Sequence, residues 1–576
     1  MKLVYIGGKV VNITALLYAV VNYHNLRYTL WEHRNWSDFQ RLYLVHFRHI
    51  AFSFFIMTTL AACGGSGGGG GNGADSNPPA TNSWTQNVFT SAANFADQCA
   101  MPRTGIDPTT NLAYRDDIGS ITDENNWLRS FSNDTYLWYN EIIDRDPALY
   151  STADYFDLLV TEATTASGSP KDKFHFTYAT EEWISLSESG IQAGYGAQWV
   201  IIDDVPPRNL VVAYTDANSP ATAANINLKR GEKILEVDGV DLIYANTDVD
   251  IGIINAGLFP SDAGETHSFV VQEAGTSATR TITMVSANVT AETVQNVRTI
   301  PTATGNVGYL AFHSHISVAE RALIDAIELL QANSISDLII DIRYNTGGFL
   351  AIASELSYMI AGMASTADKT FEELRFNDKY PNTNPITRQS LEPVPFFNTS
   401  QGFSVSAGQG LPTLNLPRVF VLTGENTCSA SESIINALRG IDVEVIQIGS
   451  ATCGKPFGFY PQDNCGTTYF TIQFETLNEK GFGGYSDGFS PANNVAAGEV
   501  SVPGCAVADD LSKELGDPTE NRLAAALSYR ETGTCPSVSA GYSRLSSNSL
   551  SQPLKINDGI ITRTAWLQNR IMQPQF

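Results

Sequence analysis

The second half of the chain alternates short apolar runs with amphipathic helical segments. Residues 418–423 read Arg-Val-Phe-Val-Leu-Thr and predict a buried strand, and residues 443–448 predict the next one. Between them, residues 432–439 carry apolar side chains on one helical face and stop at Gly440. A strand, helix and parallel strand form a right-handed unit, so the loops leaving both strands should emerge at the same edge of a sheet.

A similar unit is predicted earlier in the chain. Ser317 and Glu320 form a capping-box pattern that opens a helix, and residues 337–342 follow as a strand. This strand runs directly into Gly347-Gly348. Paired glycines at a strand exit let backbone N–H groups approach a ligand closely, which is what an oxyanion hole requires.

The loops after the two later strands carry a serine and a lysine. Ser429 begins the predicted helix, so the Ala430 N–H and the helix dipole would face a developing oxyanion. A serine hydroxyl needs a base, and a lysine can serve only if burial lowers its pKa. Lys455 lies next to Pro456 and Phe457 in an apolar stretch, which favours such burial.

These motifs carry a family resemblance. Ser429-Ala-Ser-Glu432, the later Gly-Lys455 and the earlier Asp-Ile-Arg-Tyr-Asn-Thr-Gly-Gly348 resemble the S41 serine peptidases, the C-terminal processing or tail-specific proteases, over residues 120–525. The resemblance implies a serine endopeptidase with an α/β core of the ClpP/crotonase-like type. It also implies that Ser429 is the nucleophile, Lys455 the general base, and Ala430 with Gly347 or Gly348 the oxyanion hole.

The chain departs from the family at the third catalytic position. Family members supply an aspartate or a glutamine where this sequence has Gly440 and Phe459. Asp442 and Gln462 are nearby candidates, although the role of an ordinary loop residue is favoured for each. The departure keeps open an alternative function: a non-catalytic lipoprotein that binds peptides or other ligands on the same fold.

A second module precedes the peptidase-like core. The loop Gly194-Tyr195-Gly196-Ala197 comes before an apolar run and the segment Leu228-Lys-Arg-Gly-Glu-Lys-Ile-Leu-Glu-Val-Asp-Gly239, an order that resembles a PDZ domain. Such domains add a peptide to a sheet edge and hold its terminal carboxylate with loop N–H groups. The four loop residues would form that cradle, so polypeptides recognised near their C-termini are the expected partners, with or without an adaptor.

The front of the chain resembles an export signal. Residues 50–63 form an apolar run preceded by basic residues, and Leu-Ala-Ala-Cys63 resembles a bacterial lipobox in which the cysteine becomes a lipid-modified amino terminus. We expect a lipid anchor in a bacterial membrane, at the outer membrane on its periplasmic or surface side. The residues ahead of the run indicate a start that is set too early. A glycine-rich tether follows at residues 64–83.

Cysteine usage agrees with export. Six cysteines remain beyond Cys63, an even number suited to disulfides in an oxidising compartment, and they allow fifteen pairings. Cys453 and Cys465 bracket the lysine loop and are the preferred pair. Neither a Cys-x-x-Cys motif nor a histidine cluster indicates a metal, and no cofactor is expected. His313 and His315 are interpreted as structural.

Composition sets the remaining limits. With 576 residues and 43% hydrophobic content, the chain has enough core for two or three domains. A net charge of −25 argues against binding to nucleic acid, which needs basic surface. We predict a multidomain α/β protein divided into a leader at 1–63, a tether at 64–83, a helical N-terminal region at 84–182, a PDZ-like β-rich domain at 183–290, an S41-type core at 296–530 and a tail at 531–576.

Overall fold

The computed structural model describes residues 84–107, 110–203 and 206–536, and the backbone of three short strands at 3–6, 9–12 and 568–570. The chain forms two compact units, Met1–Asn82 and Ser83–Phe576. In the first unit, strands β1 (Leu3–Ile6) and β2 (Lys9–Asn12) pair antiparallel. The apolar run before Cys63 and the tether lie outside the described residues, as does most of the tail.

The first part of the second unit contains less helix than predicted. Its elements are β3 (Gln98–Cys99), β4 (Asp117–Ile118), α1 (Ile121–Thr135), α2 (Thr152–Asp157), β5 (Phe176–Ala179) and α3 (Thr180–Ile184). Only α1 is long, and the Ser120 hydroxyl caps it by accepting from the Asp123 N–H at 3.2 Å. The prediction of a helical region was wrong for most of this segment, because its many Asp, Asn, Thr and Pro residues favour turns and caps over helix interiors.

The next part is rich in antiparallel strands. Its elements are β6 (Ile191–Gly194), β7 (Ala197–Asp203), β8 (Asn209–Thr215), β9 (Lys233–Val237), β10 (Val240–Asp241), α4 (Asp248–Leu258), β11 (Thr266–Gln272), β12 (Thr279–Val285) and β13 (Ala287–Thr290). Five strands form a sheet in the order β12-β11-β9-β8-β7, with β10 paired to β9. Helix α4 packs its Ile254 and Leu258 side chains into the core of this sheet. Strand β7 therefore lies at an edge, where a further strand can pair.

The remaining part is the α/β core. Its elements are β14 (Val294–Thr302), β15 (Gly305–Phe312), α5 (Ala319–Ala332), β16 (Asp337–Asp341), β17 (Gly347–Phe349), α6 (Leu350–Ala361), α7 (Met363–Thr366), β18 (Thr370–Phe376), β19 (Val394–Pro395), β20 (Arg418–Thr423), α8 (Ala430–Gly440), β21 (Glu444–Gly449), β22 (Phe457–Gly458), β23 (Gln462–Asn464), β24 (Thr467–Phe470), β25 (Phe474–Leu477), β26 (Phe489–Pro491), β27 (Val500–Val502), β28 (Gly504–Ala506) and α9 (Asn521–Thr532). A last strand, β29 (Gln568–Arg570), follows.

One six-stranded sheet organises this core. Its order is β14-β15-β16-β20-β21-β28, and all neighbours after the first pair run parallel. Helices α5, α6 and α8 cover one face and α9 covers the other. The strands are apolar on both faces because both are buried, as parallel sheets require. The carboxyl ends of β16, β20 and β21 consequently meet at one edge.

The predicted capping box at the start of α5 is not formed. The helix begins after Val318, and the buried Glu320 carboxylate instead accepts four backbone N–H groups from a distant loop at 2.7–3.0 Å. The donors are Gln401, Gly402, Ser404 and Val405. The prediction was wrong because a buried carboxylate gains more from several charge-assisted bonds than from one local cap. None of the helices in residues 84–536 is long and apolar enough to cross a membrane.

A buried ion cluster fixes the strand exit beyond β16. The Arg343 side chain is 1% exposed and donates to both oxygens of Asp341 at 2.9 and 2.8 Å. It also donates to both oxygens of Glu520 at 2.9 and 3.0 Å and to Asp509 at 2.6 Å. Arg230, from the β7–β12 sheet region, donates to the same Asp509. The cluster ties α9 and the β-rich part to the segment that leads into β17.

We expect Arg343→Met to lower the free energy of unfolding by about 3–5 kcal/mol, because it leaves buried carboxylates without their partner. The measurement is urea unfolding of the full chain. The matched control is Arg321→Met, since Arg321 is half exposed and forms a single exposed i,i+4 pair with Asp325. That control should change stability by less than about 0.5 kcal/mol. Equal effects of the two substitutions would contradict a structural role for the cluster.

Candidate active site

Three loops meet at the carboxyl edge of the parallel sheet. The loop after β20 carries Ser429 and the loop after β21 carries Lys455. The Cys428 N–H donates to the Asn345 carbonyl at 3.1 Å, and the Cys453 N–H donates to the Thr427 carbonyl at 3.0 Å. The loop between β16 and β17 therefore contacts the serine loop, which in turn contacts the lysine loop, as the predicted right-handed unit requires.

Ser429 has an unusual backbone conformation. It precedes α8 with φ +65° and ψ −123°, and its side chain is fully buried. A non-glycine residue in this region carries strain on the order of 1–3 kcal/mol, which persists only where the surroundings fix it. Strained residues cluster at functional sites, and here the strain turns the chain sharply from a strand into a helix.

Glu432 holds the serine and lysine loops together. One carboxylate oxygen accepts the Ser429 N–H at 2.9 Å and the Lys455 N–H at 2.8 Å. The other accepts the Gly454 N–H at 2.8 Å and the Thr452 hydroxyl at 2.5 Å. Complete burial raises the pKa of Glu432, whereas these donors oppose the rise and match the ionised form. The carboxylate thus fixes the backbone of both candidate catalytic residues.

Lys455 is buried among aromatic rings. Its side chain is fully buried, with Nζ 4.2 Å from the centre of the Phe459 ring and 5.3 Å from that of Phe174. Burial lowers the pKa of Lys455 from its ordinary value to about 7, although the Asp172 and Glu432 carboxylates partly oppose this. An amine with this pKa is largely neutral in mildly alkaline solution and can accept a proton.

The pKa of Lys455 predicts a pH dependence. Only the neutral amine is a base, so kcat/KM on a peptide substrate should fall as the pH drops through about 7 and should level off above it. The measurement is initial rates of the full chain between pH 5 and pH 10. A profile that stays flat below pH 6 in a folded protein would exclude Lys455 as the base.

Strand β17, which carries the two predicted oxyanion glycines, offers fewer free N–H donors than the sequence indicated. Gly347 and Gly348 both have positive φ, at 105° and 142°. The Gly347 N–H, however, donates to the Asn345 side chain at 2.9 Å, and the Asn345 amide is itself held by the Phe312 carbonyl at 2.9 Å. Ala430 is the first residue of α8, where backbone N–H groups have no acceptor within the helix. Gly348 lies in β17, which pairs in parallel with β29. Ala430 is therefore the clearest candidate for an oxyanion donor.

The structure corrects the predicted disulfide. Cys453 is bonded to Cys428, with the Cα atoms 5.2 Å apart, while Cys465 is bonded to Cys99 and Cys505 to Cys535. The Cys453–Cys465 prediction followed proximity in sequence, but the parallel unit brings the serine and lysine loops closer together in space. The Cys428–Cys453 bridge links the residue before Ser429 to the loop that carries Lys455. Its two sulfurs are bonded to each other and offer no thiolate to a metal ion.

Removal of this bridge should reduce turnover. We expect replacement of Cys428 and Cys453 by alanine to lower kcat about tenfold, because small shifts of catalytic groups are costly. The double replacement should also lower the free energy of unfolding by about 3 kcal/mol. The matched control replaces Cys505 and Cys535, which close a loop of similar length, 30 residues against 25. The control should lose comparable stability but keep its kcat; an equal loss of kcat would mean that the bridge acts only through stability.

Four other predicted residues have partners of their own. Asp442 is exposed and pairs with Lys480, and the Gln462 amide donates to the Pro461 carbonyl at 2.6 Å, so each of these side chains is engaged with a residue other than Lys455. His315 and His313 are buried, which lowers the pKa of each to about 3. His315 contacts the Asn345 side chain at 3.0 Å, in agreement with a structural role.

The predicted PDZ-like loop begins the edge strand of the β-rich sheet. Tyr195 is buried, and its hydroxyl donates to the Gly257 carbonyl at the end of α4 at 3.0 Å. Gly196 has φ +68°, and a Cβ there would lie 2.3 Å from that of Ser219, so only glycine fits. Gly194 ends β6 and Ala197 begins β7. The loop is thus packed firmly beside the helix and the edge strand.

Sequence reasoning missed three contributors to the site. Glu432 was noted as part of a motif, but its role as a clamp depends on contacts across two loops. Asp172 and Phe174 approach Lys455 from a segment more distant in sequence, and the pattern gave no signal for them. Of the three, only Glu432 carried a signal in the sequence, as an acidic residue in the first turn of a predicted helix.

Comparison with known proteins agrees with this geometry. Residues 306–461 match the model of the family described as Peptidase family S41. The chain is 24% identical over 298 residues to a carboxyl-terminal-processing protease of Picosynechococcus sp., a match that spans 51% of this chain and 62% of that relative. A protein of Bacteroides fragilis described as an S41 protease superimposes with a TM-score of 0.51 at 21% identity, covering 71% of this chain and 97% of the other. The two therefore share a fold.

Proposed function

We propose that this chain, whose residues 306–461 match Peptidase family S41, hydrolyses peptide bonds with Ser429 as nucleophile and Lys455 as general base. The observation that carries the proposal is the environment of Lys455. It is a fully buried amine with a pKa near 7, and its backbone is held to that of Ser429 by one carboxylate. An inactive binding protein has no need for such an arrangement.

The reaction follows from these groups. The neutral Lys455 amine takes the proton of the Ser429 hydroxyl as the oxygen attacks the scissile carbonyl. The Ala430 N–H, at the start of α8, stabilises the oxyanion that forms. The Lys455 ammonium then gives its proton to the nitrogen of the scissile bond. That bond breaks, the amine departs, and the acyl group stays on the Ser429 oxygen. Lys455 next takes a proton from a water molecule as the water attacks the acyl carbonyl. The Lys455 ammonium then returns that proton to the Ser429 oxygen as the acid product departs. The surrounding rings keep the amine neutral between steps.

We infer that substrates are recognised through exposed C-terminal segments. The β-rich part has a small groove of about 20 Å³ between its edge strand and α4, lined mainly by apolar side chains: Ile201, Leu210, Leu242, Ile251, Ile254 and Leu258. Arg208 lies in the same groove and can pair with a carboxylate. A peptide added to β7 would place its apolar side chains in this groove.

The test compares the full chain with its Ser429→Ala form on an unfolded protein whose C-terminus is either free or amidated. We expect the wild-type chain, which carries Ser429, to cleave the substrate and the Ser429→Ala form to leave it intact. The wild-type chain should cleave the amidated substrate more slowly than the free one. Equal cleavage of the free and the amidated substrate would reject recognition of the C-terminus but would leave the proposed peptidase activity standing. A folded serine form that cleaves neither substrate at any pH between 6 and 9 would instead support the non-catalytic binding protein.

We infer an oxidising, extracytoplasmic location from the three disulfides. The lipid anchor at Cys63 remains a prediction from the lipobox resemblance. Metabolic labelling with a radioactive fatty acid should mark the wild-type chain and leave Cys63→Ala unlabelled; labelling of both forms would reject it.

A further inference from the structure

A second cleft lies between the β-rich part and the catalytic loops. Its volume is about 100 Å³, and it has Trp199 and Val200 of the edge strand on one side. On the other side it is lined by Thr346, next to the oxyanion glycines, and by Asn426, three residues before Ser429. A polypeptide whose scissile carbonyl reaches Ser429 must therefore place a neighbouring residue in or beside this cleft.

The cleft contains a buried imidazole with an unsatisfied nitrogen. His313 is 7% exposed and stacks on Tyr214 with ring centres 3.9 Å apart, and its Nε2 has no hydrogen-bond partner among the described residues. Buried polar atoms are almost always paired, so such an atom in a cleft points to a ligand. Burial, with the nearby charges of Arg343 and Arg230, lowers the pKa of His313 to about 3. The ring is therefore neutral, and the tautomer protonated on Nδ1 presents Nε2 as an acceptor.

Carboxylates are the charged groups that line the cleft. Asp216 and Glu292 line it, and none of its lining residues in the described part of the chain is lysine or arginine. Asp216 is 4% exposed; burial raises its pKa to about 6, although the Glu292 N–H donates to it at 3.1 Å. The carboxylate is thus mainly ionised above neutrality. The arginines behind Tyr344 are already paired with Asp341, Asp509 and Glu520.

We propose that this cleft is a specificity subsite for a lysine or arginine side chain close to the scissile bond of the substrate. The proposal rests on the peptidase function above and adds the class of residue that the site selects. The cation would pair with Asp216 and donate to His313 Nε2, while its aliphatic stem packs on Tyr214 and Ile316. An acceptor and an anion in one partly buried cleft favour a cationic donor over an apolar or acidic side chain.

The experiment first locates the cleaved bonds in an unfolded protein by mass spectrometry. Quenched fluorescent peptides then carry lysine, norleucine or glutamate at each of three positions on either side of the bond. At one position we expect kcat/KM for lysine to exceed that for norleucine by about tenfold and that for glutamate by about a hundredfold, as a buried polar site discriminates. In Asp216→Asn and in His313→Phe, the lysine-to-norleucine ratio should fall towards one.

The ratio within one variant is independent of how much of that variant is active. Glu273→Gln is the matched control, since this acid is exposed on a turn of the same sheet and should leave the ratio unchanged. Absence of a lysine preference at every position, or its persistence in Asp216→Asn, overturns the subsite.

A binding measurement separates this proposal from the peptidase function. If the full chain cleaves nothing, the dissociation constants of the lysine and norleucine peptides are compared on the Ser429→Ala protein by calorimetry. Tighter binding of the lysine peptide supports the subsite without catalysis, provided that the difference disappears in the double variant Ser429→Ala, Asp216→Asn. Equal dissociation constants reject it.

Discussion

Replacement of Lys455 by methionine is expected to lower kcat by about 10³-fold, the loss that accompanies removal of a general base. Methionine fills the same buried space between the Phe459 and Phe174 rings, so the fold should survive. Removal of a buried amine from an apolar site also relieves desolvation, and the melting temperature should not fall. The measurements are kcat on a peptide substrate and thermal unfolding of the same preparation.

The matched control is Lys480→Met. Lys480 is half exposed and contacts Asp442 and the Arg439 carbonyl at the surface. No role in catalysis is proposed for it. It should keep wild-type kcat. A Lys455→Met protein that is folded and fully active would reject the dyad, because no other described lysine combines complete burial with a position beside the serine loop.

The second large effect is expected for Glu432→Gln. A carboxamide has one acceptor oxygen and one donor group, so it can satisfy the Ser429 and Lys455 N–H groups or the Gly454 N–H, but not all three. We expect a loss in the free energy of unfolding of about 3 kcal/mol. Displacement of the serine and lysine loops should lower kcat about 10²-fold with little change in KM. Urea unfolding and steady-state kinetics test both effects.

Another buried glutamate provides the comparison. Burial, aided by the neighbouring Glu320, raises the pKa of Glu355 to about 9, so this side chain is already neutral at pH 7. Glu355→Gln replaces a neutral carboxyl by a neutral amide and keeps an acceptor for the Gln401 N–H. It should cost less than about 1 kcal/mol and leave kcat unchanged. Equal effects of Glu432→Gln and Glu355→Gln on stability and kcat would show that the charge and the two acceptor oxygens of Glu432 do not hold the serine and lysine loops in place.

The catalytic half of the fold could be predicted from local patterns. Residues 418–423 form the strand that their apolar run indicated, and α8 extends the predicted helix by two residues at its start and one at its end. The parallel order of β20 and β21 then places Ser429 and Lys455 at one edge. These predictions succeeded because a buried parallel strand and an amphipathic helix have patterns that tertiary contacts reinforce.

The rest depended on contacts between distant segments. Cys428 pairs with Cys453 because two loops meet in space, a fact that six cysteines in a sequence cannot convey. Glu320 matched a capping pattern but binds a loop some eighty positions further along. The region 84–182 has less helix than predicted because its many Asp, Asn, Thr and Pro residues favour turns and caps. For the disulfide and for Glu320, tertiary contacts outweighed what the local pattern indicated.

One feature of the lysine site bears on how such enzymes diverge. The pKa of Lys455 depends in part on the Phe174 ring and the Asp172 carboxylate, and both lie outside the residues 306–461 that match the family. Substitutions in this flank can therefore move the pH optimum while Ser429 and Lys455 stay unaltered. Adaptation to an acidic or alkaline habitat would then leave its trace in residues that a motif comparison overlooks.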